Sequence, residues 1–275
     1  MGPLLTRLNL AALGACLLVG CGVSPKPAPR ESDGPTIVSL NPCTDAILAE
    51  VAGDGQLLAV SHYSHDPHAT SMPLEQALTY PATGGTVEEV LALDPDVVVA
   101  GAFLAPATRN AFERLGVQVE TFDPPMTVEE SVRQVRRLGA LAGQQGNADQ
   151  LAARITSAWE QAGYAGEPLP TVLLQQGGIV PGPESLIARL MEKSGLSLHS
   201  AARGLGQGSY LPLEQVMADP PHLVLASGEE RMLDHPVLKA RDDMRFDALD
   251  PAMLFCGGPT IIRTLEGLAE LRTSR

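Results

Sequence analysis

The chain has 275 residues, with 32 Asp or Glu against 19 Lys or Arg and a net charge of −13 at neutral pH. Phosphate binding relies on clustered Lys and Arg, which this sequence lacks, so nucleic acid is not an expected partner. Its four cysteines are too sparse for a disulfide framework, and its length is enough for two lobes with real cores.

Met1 to Gly20 carries one positive charge, Arg7, and an apolar run of signal-peptide length that is too short to span a membrane as a helix. It ends Leu18-Val19-Gly20-Cys21, which resembles the bacterial lipobox. By that resemblance residues 1–20 are a lipoprotein signal peptide and Cys21 is the lipidated first residue of an exported, membrane-anchored protein. The alternative is a plain buried cysteine. Residues 21–34, rich in Pro, Ser and charge, read as a flexible tether. Cys16 leaves with the signal, so Cys43 and Cys256 remain, each after an apolar run and before a helix-start signal. An oxidising compartment permits a bridge between them, but spacing does not say whether they lie close enough.

The first lobe, residues 35–146, alternates strands and helices. Strand Thr36 to Leu40 meets Asn41-Pro42, a helix cap followed by a first-turn proline, and that helix runs to about Ala52. A strand from Gln56 to Val60 enters the loop Ser61 to His68. Thr86 with Glu89 and Thr127 with Glu130 have the capping-box pattern. Between them fall strand Val97 to Ala100, helix Pro106 to Leu115 and strand Val117 to Phe122, and a helix from Val128 to Ala142 follows. A break at Gly143 precedes Asn147 and Gln150, read as the cap of a helix over 147–164 with Leu151, Ile155 and Trp159 on one face. At 1.5 Å per residue it is long enough to bridge two lobes.

The second lobe, residues 165–275, is predicted to hold strand Thr171 to Gln175, helix Glu184 to Ser194, strand Met253 to Cys256 and helix Thr260 to Arg272. It also contains an ungapped copy of a stretch in the first lobe. Val87 to Ala100 (VEEVLALDPDVVVA) recurs as Leu213 to Ala226 (LEQVMADPPHLVLA), with six of fourteen positions identical, Glu88 and Glu214 among them. Each copy is a short helix, a proline break and an apolar run of the kind buried in parallel sheets. The expected fold is therefore α/β: two similar lobes, each a mainly parallel sheet wrapped by helices, joined by one long helix with a ligand cleft between them.

Several features in order support a family resemblance: Ser39-Leu40-Asn41-Pro42 with Thr44-Asp45, Gly85 through Ala100, the Gly143 break, Pro181-Gly182-Pro183, Tyr210 through Ala226, and His235-Pro236. They resemble the helix-tethered substrate-binding proteins of bacterial ABC importers, the group that captures corrinoids, ferric siderophores and haem. His222 stands where that pattern usually has Asp, and the chain is poor in aromatics. The resemblance implies a monomeric binder, not an enzyme, with no resident cofactor, that delivers a bulky metal chelate to a permease and its ATPase. It puts Glu88 and Glu214 on the outer tips of the lobes, opposite permease arginines. The bland alternative is that each carboxylate simply favours its helix dipole.

Ligand contacts are expected on loops after strand ends: Cys43, Thr44, His62, Tyr63, Phe103, Gln176, Gly177 and Tyr210. Tyr63 and Phe103 have core packing as their alternative. Only Arg109 and Arg203 fall near these loops, which favours a chelate of low net charge, such as cobalamin or a ferric hydroxamate, over a catecholate complex. Haem is an alternative, since His62 or Tyr63 offers an axial ligand. His62, His65 and His68 with Asp66 raise two others, a free metal ion and a metal-dependent envelope hydrolase, but they lack a structural-zinc spacing.

Overall fold

The computed structural model describes residues 34–228, 241 and 243–274. The expectations for the signal peptide, for lipid at Cys21, for the tether up to residue 33 and for His235-Pro236 lie outside these residues.

The first lobe contains β1 (Ile37–Ser39), α1 (Pro42–Val51), β2 (Leu57–Ser61), α2 (Leu74–Ala77), β3 (Ala82–Thr83), α3 (Val87–Leu91), β4 (Val97–Gly101), α4 (Pro106–Arg114) and β5 (Gln118–Phe122). The strands form one sheet in the order β3-β2-β1-β4-β5, with every pair parallel. The order reverses between β1 and β4, and ligands of such sheets usually bind outside the carboxyl ends of the strands at that point. Asn41 starts α1 by accepting the Cys43 N–H at 2.9 Å, and Pro42 follows where a missing N–H costs nothing.

Two antiparallel helices, α5 (Val128–Leu141) and α6 (Gln145–Gln161), lead to the second lobe. There β6 (Leu169–Gln175), β7 (Ile179–Val180), α7 (Leu186–Lys193), β8 (Leu196–Leu198), β9 (Ser209–Tyr210), α8 (Leu213–Ala218), β10 (Leu223–Ser227), β11 (Arg245–Ala248) and α9 (Thr260–Thr273) follow. The sheet order is β11-β10-β6-β7-β9, with β8 also paired to β6. Only β7 runs antiparallel to its neighbours, β6 and β9.

Strand alternation divides the apolar side chains between two faces. Ile37, Val97 and Val99 of one sheet and Leu173, Leu223 and Leu225 of the other join a single buried cluster that also holds Leu138, Leu151, Ile155 and Ile261. Val38 and Val98 on the opposite face pack in a separate cluster with Val90 of α3, and Val172 and Val224 do the same with Val216 of α8. The lobes therefore share a core through α5, α6 and α9. Each fully buried Ile or Leu contributes about 1.5–3 kcal/mol relative to exposure, so α6 is packed into both lobes and is more than a spacer.

Two local expectations are corrected. The tether helix begins at Gln145, and Asn147 is inside it, its side-chain N–H donating to the Val51 carbonyl at the end of α1. Gly143, at φ 70°, turns the chain so tightly that α6 starts at once, with Gln144 in the capping position. The predicted strand Met253 to Cys256 is absent. Asp250 accepts the Ala252 N–H at 2.9 Å and Pro251 occupies the first turn, so the apolar run opens as a 3₁₀ turn over Pro251–Met253. The last strand is β11 instead, an edge strand whose half-exposed RFDA sequence carries no alternating apolar signal.

Candidate functional site

The first turn of α1, directly after β1, contributes the first group. Thr44 is buried; its hydroxyl donates to the Asn41 carbonyl at 3.0 Å and receives the Ser39 hydroxyl at 2.8 Å. The Cys43 sulfur is bonded to Cys256, 213 residues away, with the two Cα atoms 5.0 Å apart. This disulfide excludes a free Cys43 thiolate as a ligand and joins the first turn of α1 in one lobe to the segment before α9 of the other. Ser131 Oγ accepts the Gly258 N–H at 2.6 Å, and Thr260 Oγ1 donates to the Ser71 carbonyl at 3.0 Å. A Cβ on Gly258 would collide with Ile47, so the two surfaces meet there backbone against side chain.

The second group is a 3₁₀ turn, His62–His65, after β2. Tyr63 is exposed and its ring lies 4.1 Å from that of His62. His62 Nδ1 is 3.3 Å from the Thr83 carbonyl, and His65 Nε2 is 3.2 and 3.1 Å from the carbonyls of Ala77 and Tyr80. His65 is thus engaged with the backbone, and among the described residues no three His, Cys, Asp or Glu side chains converge as a metal ion would require. The turn rests on Asp45 in the first turn of α1, a residue with no exposed surface. Asp45 Oδ2 accepts the Ser61 N–H at 2.9 Å and the Ser64 hydroxyl at 2.7 Å. Burial pushes its pKa up to about 7, against the opposing pull of its hydrogen bonds from Ser64 and Ser61.

The third group surrounds the β6–β7 turn. Gln176 and Gly177 are exposed, Gly177 and Gly178 have φ of 79° and 74°, and the Leu211 N–H donates to the Gly178 carbonyl at 2.9 Å, which brings Tyr210 beside Ile179. A Cβ added to Gly228, after β10, would lie 3.8 Å from the Cβ of Gln176. Phe103, after β4, stands at the carboxyl end of the first sheet.

The aromatics stand out. Tyr63 is 55% exposed, Phe103 90%, Tyr210 62% and Phe255 61%, so core packing does not explain any of them. Phe255 and Asp45 are not among the site residues expected from sequence. Phe255 was absorbed into a false strand, and its signal was an apolar side chain next to a cysteine. Asp45 was visible only as a family-pattern position. Three cavities of about 300, 420 and 270 Å³ open elsewhere, beside Trp159, beside Phe122 and between α1 and α9.

Glu88 and Glu214 are exposed at the first turns of α3 and α8, with no ion pair among the described residues. The adjacent Glu89 differs: its carboxylate accepts the Gly84 N–H at 2.8 Å and the Thr83 hydroxyl at 3.1 Å.

Two mainly parallel α/β lobes, a helical connection and exposed aromatic loops at the strand ends define a binding protein of the two-lobed class. The family described as periplasmic binding protein matches residues 37–244, and the chain belongs to it. No curated protein sequence matches the chain. Among solved structures, the apo periplasmic haem-binding protein RhuT from Roseiflexus sp. RS-1 is 19% identical, with a TM-score of 0.68 over 86% of this chain and 96% of its own. The haem-binding protein HutB of Vibrio cholerae is 16% identical at a TM-score of 0.70, covering 87% and 99%. The vitamin B12-binding protein BtuF of Vibrio cholerae is 19% identical at 0.65, covering 86% and 96%. These likenesses establish the fold.

Proposed function

We propose that this protein captures a metal tetrapyrrole of low net charge, a corrinoid such as cobalamin, in the cleft between its lobes and delivers it to an ABC permease with its ATPase. The supporting observation is the set of exposed aromatic rings, Tyr63, Phe103, Tyr210 and Phe255, on loops at the strand ends of both lobes. A flat macrocycle presents the apolar area such rings cover, and aromatic contacts contribute about 0.5–1.5 kcal/mol each beyond burial. Among the described residues, the two guanidinium groups expected near these loops are engaged elsewhere: Arg109 donates to Thr121 Oγ1 at 2.7 Å, and Arg203 pairs with Asp219 and donates to the His199 carbonyl at 2.9 Å. That leaves little for a highly anionic catecholate complex, and a ferric hydroxamate fits the charge but not the flat shape. The adjoining His62 and Tyr63 rings favour haem as a second reading, since either side chain is a haem-iron ligand type.

In the same reading, export through the signal peptide and lipid at Cys21 keep the binder at the envelope, facing the periplasm or the outer face of the membrane. Glu88 and Glu214 dock its two tips to the permease. Titration of the mature protein with cyanocobalamin, hemin, a ferric hydroxamate and a ferric catecholate tests the ligand. Saturable binding of cyanocobalamin, weakened about fivefold to a hundredfold in Tyr63→Ala/Tyr210→Ala, is the expected result. Selective binding of the catecholate would overturn it, and selective binding of hemin would install the second reading.

A further inference from the structure

Asp45 is placed at a cost that closing a turn does not require. Its carboxyl group has no exposed surface, and Oδ1 finds no hydrogen-bond partner, while Oδ2 carries two. Buried polar atoms are nearly always satisfied, so an acid left in this condition needs a reason. Its two donors, Ser61 and Ser64, bracket His62 and Tyr63 and no other residue. The Ser61 hydroxyl in turn accepts the Tyr63 N–H at 3.3 Å. Ser64 is itself fully buried, so its hydroxyl has Asp45 in place of water.

We propose that Asp45 is the positioning residue of the first lobe's ligand turn, holding Tyr63 and His62 at the cleft through Ser61 and Ser64. The inference rests on the reading that this turn contacts the ligand. Asp45 itself does not touch the ligand; it acts from the far side of the turn, from a rigid helix that is also pinned by the neighbouring Cys43–Cys256 bond. The other anchors of the turn, from His62 and His65 to backbone carbonyls, fix its two flanks, and Asp45 fixes its base. Removing the carboxyl group leaves the Ser61 N–H and the Ser64 hydroxyl buried without acceptors, and the turn then moves to satisfy them. An amide keeps an acceptor oxygen at the same place.

The test compares Asp45→Ala, Asp45→Asn, Tyr63→Ala and the pair Asp45→Ala/Tyr63→Ala, each well below its melting temperature, titrated with cyanocobalamin and with hemin. Asp45→Ala should weaken binding about tenfold, Asp45→Asn should restore it to within about twofold, and the pair should be no weaker than Tyr63→Ala alone, because one residue acts through the other. Wild-type affinity in Asp45→Ala, no rescue by Asn, or additive losses would overturn the proposal. Amide hydrogen exchange gives a readout without ligand: residues 61–65 should exchange faster in Asp45→Ala and not in Asp45→Asn. Unchanged exchange in Asp45→Ala also overturns it. If the wild-type protein binds neither probe while exchange follows the expected pattern, the tetrapyrrole reading fails and the hold of Asp45 on the turn stands.

Discussion

The two copies of the repeat adopt the same place in their sheets with different fastenings. β4 lies between β1 and β5, and β10 lies between β6 and β11, so both copies supply a central strand. Asp96 and His222 occupy matching positions, opposite Thr36 and Pro170 in the registers of β1 and β6. The backbone contact is the same: the N–H of Asp96 donates to the Thr36 carbonyl and that of His222 to the Pro170 carbonyl, both at 3.0 Å. The side chains diverge. Asp96 accepts the Thr36 N–H at 2.8 Å and the Thr36 hydroxyl at 2.9 Å. Pro170 has neither donor, so an Asp at position 222 would gain nothing, and this accounts for the departure from the family pattern there. The helix starts differ as well: Thr86 caps α3 through the Glu89 N–H at 3.2 Å, whereas Pro212 precedes α8 without a side-chain cap. What the copies retain is an exposed glutamate and a buried strand, while the fastenings differ.

The largest expected effect probes what the copies have kept. Glu88→Lys/Glu214→Lys should abolish uptake in a transport assay while ligand affinity, titrated on the same protein, stays within about twofold, because like charges set opposite each other cost several kcal/mol at an interface. Normal uptake would rule out docking, and collapsed binding would move these residues into the ligand site. Next in size is the disulfide between the lobes. Cys43→Ser/Cys256→Ser opens a loop of 213 residues and should lower stability by about 4 kcal/mol in urea unfolding. A loss near zero would mean that the shared core and the contacts at Ser131 and Thr260 hold the lobes without it.

A smaller effect tests the unequal latches. Asp96→Ala should cost about 1–2 kcal/mol by thermal or denaturant unfolding, allowing for the exposure of the carboxylate. His222→Asp alone should change stability by less than about 0.5 kcal/mol, and only His222→Asp with Pro170→Thr should recover part of the latch. A gain from His222→Asp alone would refute the account of the departure. Smallest is the cap: Thr86→Ala should cost about 1 kcal/mol, while Pro212→Thr should stabilise α8 by a comparable or smaller amount.

Much of the architecture was legible in local patterns. The caps at Asn41, Thr86 and Thr127 act on N–H groups two or three residues away, and each forms. In the two capping boxes the return bond misses its expected target: the carboxylates of Glu89 and Glu130 reach Gly84 and Met126 rather than the cap residues themselves. The start of α6 was misplaced because Asn147 has a cap's chemistry but its amide is used on Val51, 96 residues earlier in the chain. Of the residues expected on strand-end loops, Cys43 and Thr44 fall in the first turn of α1 and Tyr210 in β9, and sequence could not say which were exposed. Thr44 and Phe103 both follow strand ends, yet one is buried under its helix and the other stands in solvent.

By itself the sequence determined the two-lobed α/β plan, the burial of the repeated strands and the caps that start α1, α3 and α5, since periodicity and capping are settled within a few residues. Tertiary structure alone decided that Cys43 meets Cys256, that Gly258 fits against Ile47, that Asp45 is buried beneath the turn carrying Tyr63, and that Phe255 is left exposed. Those outcomes depend on how two lobes press on one another across 200 residues of chain, and contacts at that separation leave no periodic trace in the sequence.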